Sequence, residues 1–61
     1  MTIEIYDFAQ EIDRLSRERE AIIFLLPLKI AGEDWHGVSD FANDLREIDA
    51  ELELLRKLSG K

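Results

Sequence analysis

"VSDFANDLREIDAELELL", residues 38–55, places Val38, Phe41, Leu45, Ile48, Leu52 and Leu55 at alternating spacings of three and four. An α-helix completes a turn in about 3.6 residues, so this spacing returns all six side chains to one stripe. Every member of the stripe is apolar, which makes the segment an amphipathic helix with a seam shaped for a second helix. Toward the N-terminus the same alternation recurs at Ile5, Phe8, Ile12, Leu15, Arg19, Ile22 and Leu26, broken only by Arg19. No Gly or Pro interrupts residues 3–26 or 38–59, whereas Pro27, Gly32 and Gly37 fall between the two runs. The expected fold is therefore all-α: one domain over residues 1–61, an antiparallel two-helix hairpin with a helix over about 3–26, a turn over about 27–34 and a helix over about 35–58. Asp34 and Ser39 are both suitable caps for the second helix, and Pro27 either ends or kinks the first. Arg56 and Lys57 suit the negative end of the second helix dipole, and Gly60 suits its stop.

A hairpin reverses about its turn, so its register can be tested by pairing positions outward from that point. The register that fits a turn over about 27–34 pairs Ile5 with Leu55, Phe8 with Leu52, Ile12 with Ile48, Leu15 with Leu45, Arg19 with Phe41, and Ile22 with Val38. A slide of seven would also match apolar to apolar, but it sets Ile22 opposite Leu45 and implies a longer loop. The preferred register also addresses an acidic stripe, Asp40, Asp44, Glu47 and Glu51, whose members should repel along their own helix. Arg17 would fall near Asp44 and Arg14 near Glu47, giving flanking salt bridges. The competing reading is an acidic face that mimics nucleic acid.

With the seam filled, Tyr6, Ala9, Ile23, Phe24 and Leu25 remain on the first helix, and Trp35, Ala42, Leu54 and Leu58 on the second. A two-helix hairpin has one inner face, and each large apolar side chain left in water forgoes about 1.5–3 kcal/mol. Tyr6, Ile23, Phe24, Leu25, Leu54 and Leu58 are accordingly the candidate face of a homodimer, in which two hairpins form a four-helix bundle. Arg19, at a seam position, is a candidate polar layer that sets register or oligomeric state. Trp35 is expected to cover the end of the core beside Leu26. The alternative makes Trp35 and His36 an exposed tip, and with Asp40, Asp44, Glu47 and Glu51 a candidate interaction surface.

Composition points the same way. A chain of 61 residues buries about 60% of its unfolded surface, which makes a lone monomer marginal. It has no cysteine, so disulfides cannot compensate and oligomerisation is the leading alternative. Fourteen acids against eight bases, a net charge of −6, oppose attraction to phosphates or anionic lipid. A protein partner is expected rather than nucleic acid or membrane. The longest apolar run, Ala21 to Ala31, contains Pro27 and Lys29 and falls well short of the roughly 20 residues that span a bilayer. The acids of "MTIEIYDFAQE" are unlike a secretion signal, so the cytoplasm is the expected location.

No cofactor, metal or catalytic group is expected. His36, Asp40 and Asp44 share a face at spacings of four, but one His and two carboxylates make a weak, exposed metal site. Ser16 and Ser39 have no base placed to activate them, and Ser39 serves better as an N-cap.

"LREIDAELELLRKL" resembles the first helix of chorismate mutases, yet the chain lacks the further helices and basic residues that such an active site would require, and no enzymatic activity is expected. A broader likeness runs through "EIDRLSREREAIIFLLP" and "DWHGVSDFANDLREIDAELELL". Together with the chain's size, these segments resemble the small helical proteins encoded in the exo-xis early region of lambdoid phages. That resemblance implies a phage or prophage accessory protein that modulates a host or phage protein through protein contacts. The size and architecture are also similar to small plasmid-encoded four-helix dimers that hold RNA loop pairs, which supplies the alternative of an RNA- or DNA-binding helical dimer.

Overall fold

The structure is a computed structural model that describes residues 7–60. Two helices of equal length, α1 (Phe8–Ala31) and α2 (Trp35–Leu58), pack against each other as a hairpin, and the described residues contain no strand. At 1.5 Å per residue each helix is about 36 Å long. Asp7 caps α1, its carboxylate accepting the Gln10 N–H at 3.1 Å. Tyr6 and Ile5 lie outside the described residues.

Pro27 neither ends α1 nor starts the turn, because the helix continues through it to Ala31. A helical proline deletes the N–H that would bond the carbonyl four residues earlier. Here the chain absorbs that loss and ends α1 with backbone caps one turn later. The Glu33 N–H donates to the Ile30 carbonyl and the Asp34 N–H to the Lys29 carbonyl, both at 2.9 Å. These two bonds form a Schellman cap, which requires a left-handed residue just past the helix. That residue is Glu33, with φ 56°, and not the adjacent Gly32, whose φ is −85°. The reversal is thus confined to residues 32–34 instead of 27–34.

Moving the reversal changes the register. Leu15 packs with Ile48, Leu52 and Leu55 in the buried core, flanked by the half-buried Phe8, Ile12 and Ile22. Arg19 reaches Asp49 across the helices, and the cation over the Phe41 ring is Lys29, at 5.9 Å from its centroid, rather than Arg19. These contacts correspond to a slide of about one heptad from the pairing that sets Leu15 against Leu45 and Arg19 against Phe41. The physical reason is the degeneracy of a seven-residue repeat: a later turn moves the partner by a whole heptad, since smaller slides would oppose apolar to polar positions.

The core is lopsided. Among the described residues, Leu15, Ile48, Leu52 and Leu55 are the buried ones, and all four sit toward the open end of the hairpin. Seam residues nearer the turn, Ile22, Leu26, Val38, Phe41 and Leu45, are only half-buried.

Candidate functional site

The turn that joins the helices is held by Asp34. It caps α2, its carboxylate accepting the Gly37 N–H at 3.0 Å, and it lies 3.4 Å from the Lys29 ammonium of α1. These two contacts, the Gly37 hydrogen bond first, hold the Asp34 carboxyl below its ordinary pKa. Gly37 leaves room for the cap, since a Cβ there would come within 2.7 Å of Asp34 Oδ2. Ser39 consequently lies inside α2 and caps nothing.

Trp35 and His36 are the first two residues of α2. Trp35 is 60% exposed and does not cover the core beside Leu26. The added turn of α1 and the cap at Asp34 put Trp35 on an outward-facing stripe of α2. His36 is also exposed and lies 3.6 Å from Asp40, a contact that becomes an ion pair on protonation. Among the described residues, no three side chains of metal-binding type converge.

Among the described residues, grooves run along both broad faces of the hairpin. The first is lined by Ser16, Arg19, Glu20, Asp49, Leu52 and Arg56. Its charges balance, and Arg19 donates from Nε to Asp49 Oδ1 at 2.7 Å. The seam arginine is therefore neither deeply buried nor stacked on Phe41, but joined to the facing helix at the rim of the interface. The second groove is lined by Arg14, Leu15, Glu18, Ile22, Asp44, Glu47, Ile48 and Glu51. Its acids are not balanced from across the hairpin. Arg14 pairs within its own helix with Glu11 and Glu18, and Arg17 pairs with Asp13, so the expected Arg14–Glu47 and Arg17–Asp44 bridges do not form. The changed register accounts for this by carrying both arginines toward later residues of α2. Glu51 acts on Arg14 only as a weaker, more distant charge. Among the described residues, Asp44, Glu47 and Glu51 have no ion pair, and Asp40 meets only His36.

Residues seven apart lie almost on one line of a helix, which assigns the remaining apolar side chains to faces. On the first face, Ser16 continues to Ile23 and Ile30, Asp49 continues back to Ala42 and Trp35, and Leu52 continues back to Leu45 and Val38. On the second, Glu18 continues to Leu25, while Glu47 and Glu51 continue to Leu54 and Leu58. Phe24 projects from the outer edge of α1 and is 75% exposed. The described members of the anticipated dimer face, Ile23, Phe24, Leu25, Leu54 and Leu58, are all exposed but do not form one surface. Only Ile23 belongs to the first face. The signal that separates them is the phase of each residue relative to the two grooves, which requires the register to be known.

Among the described residues, no helix is long and apolar enough to cross a membrane. No protein-family model matches the chain, and comparisons with curated proteins and with solved structures give no match.

Proposed function

We propose that the chain is a non-enzymatic homodimeric helical interaction protein that regulates a protein partner, in keeping with its resemblance to the accessory proteins of lambdoid phages. The observation that carries this reading is the exposure of large apolar side chains around the turn. Ile23, Phe24, Leu25, Leu28, Ile30 and Trp35 are each at least 40% exposed. A helix that is apolar on all sides is normally buried, and here the apolar run surrounds the last turns of α1.

The unpaired acids Asp44, Glu47 and Glu51 give the second groove a negative field suited to a basic protein surface. The nucleic-acid alternative is weaker, because Arg14 and Arg17 are already engaged by acids of their own helix. Sedimentation velocity tests the dimer: a concentration-dependent dimer at micromolar concentration is expected, and a folded monomer throughout refutes it. A low-salt gel shift tests the alternative. No retention of RNA or DNA is expected, and salt-sensitive retention lost on Arg14→Ala and Arg17→Ala would replace the proposal.

A further inference from the structure

The geometry points to one of the two broad faces as the surface that takes a second copy of this chain: the patch formed by Ile23, Ile30, Trp35, Val38, Ala42 and Leu45. This inference rests on the homodimer reading and deepens it by naming the face. The patch spans both helices and none of its six side chains is charged. Ile23, Ile30 and Trp35 are 44%, 46% and 60% exposed, and Val38 and Leu45, on the adjoining seam, are half-covered. It continues the groove that contains Arg19, Glu20, Asp49 and Arg56, two charges of each sign.

Charge decides between the faces. The opposite groove carries Glu18, Asp44, Glu47 and Glu51 against Arg14 alone. A two-fold axis brings the same surface of each copy together, so pairing through that groove would bring the three unpaired acids Asp44, Glu47 and Glu51 of one copy against those of the other, a costly juxtaposition of like charge. The first face presents no such conflict. The balanced charges beside the patch, Arg19 and Arg56 against Glu20 and Asp49, let the same surface of two copies meet without net repulsion, which supports a second copy as the occupant. Because the patch occupies the turn half of the hairpin, the two-fold axis passes through that half. The turn halves overlap as four helices, and both acidic grooves stay outward for a partner.

The test compares charge insertion on the two faces. Ala42→Glu places a carboxylate in the patch, and Leu54→Glu places one on the opposite face. By sedimentation velocity, Ala42→Glu is expected to weaken self-association about tenfold or more, with Leu54→Glu close to wild type. Trp35, the chain's only tryptophan, should shift its emission to shorter wavelength as the wild type associates. Should Ala42→Glu fail to fold once monomeric, cysteine substitution supplies an independent measurement, since the chain has no other cysteine. A short bismaleimide should cross-link Ala42→Cys into covalent dimers and leave Leu54→Cys largely monomeric. A wild-type monomer overturns both the dimer and its face. A dimer broken by Leu54→Glu, or cross-linked through Leu54→Cys but not Ala42→Cys, overturns the face alone.

Discussion

The two halves of this hairpin use similar seams to different ends. Toward the open end, Leu15, Ile48, Leu52 and Leu55 are buried among mostly charged neighbours, with Leu54 and Leu58 as exposed exceptions on α2. Toward the turn, Ile22, Leu26, Val38, Phe41 and Leu45 continue the seam but stay half-exposed, while apolar side chains replace the charged surround. One half has a covered core beneath a mostly charged surface. The other has a partly covered core beneath a largely apolar surface. An apolar stripe alone therefore does not identify a finished core.

Truncation should break this contrast most strongly. Leu15→Ala or Leu52→Ala removes a side chain that is 2% or 3% exposed, and should cost about 2–5 kcal/mol in denaturant unfolding. For so small a domain, that loss is enough to leave much of the chain unfolded. Phe24→Ala, at 75% exposure and outside the proposed dimer patch, should change stability by less than about 0.5 kcal/mol. Equal losses at Leu15 and Phe24 would show that the edge of α1 is covered and that the asymmetry is wrong.

The turn itself offers a smaller and opposite effect. Glu33 holds the left-handed cap position, which costs a residue with a Cβ about 1–2 kcal/mol. Glu33→Gly should raise stability by up to about 1 kcal/mol, after the greater freedom of glycine in the unfolded chain is subtracted. Gly32→Ala should be tolerated, because its φ is ordinary and an added Cβ would meet Leu28 O at 3.5 Å. If unfolding midpoints instead fall for Glu33→Gly, the cap is not placed as described.

Across the open half, the Arg19–Asp49 bridge tests the register. Its side chains are 42% and 52% exposed, so a double-mutant cycle of Arg19→Ala and Asp49→Ala should return about 0.2–1 kcal/mol, diminishing with salt. No coupling between them, with coupling between Arg19 and Phe41 instead, would restore the earlier register.

Acid should act most gently. The Asp34 carboxyl is held below its ordinary value of 3.8, and Glu11 is also lowered, chiefly by its hydrogen bond to Arg14. A depressed carboxyl stabilises the fold once the unfolded chain is deprotonated, and that contribution disappears as pH falls through the lower folded value. The melting temperature should therefore fall in acid below the ordinary carboxylate range. Asp34→Asn keeps an N-cap but cannot titrate, so it should reduce this dependence; an unchanged acid slope would remove Asp34 as a cause.

Much of this architecture was legible from spacing. Ile12, Leu15 and Ile22 belong to one apolar stripe and Ile48, Leu52 and Leu55 to another, and their periodicity indicates two helices and the inner face of each. Proline's usual disruption of helices suggested an early turn at Pro27, whereas backbone capping at Gly32 to Asp34 supports a longer α1. The charge partners could not be read correctly because each depends on register. Arg14 reaches Glu11 and Glu18, and Arg19 reaches Asp49, for reasons that neither helix contains alone. Trp35 shows the same limit: its identity suggested a buried cap, but its phase at the start of α2 directs it outward.

By itself, then, the sequence determined that two amphipathic helices form and that apolar side chains exceed what one hairpin can cover. Only the tertiary structure decided where the chain reverses, which heptad meets which, and to which broad face each leftover side chain belongs. Helical periodicity is local and repeats after seven residues, so it cannot distinguish registers one heptad apart; the length of α1 and the geometry of its cap break that tie.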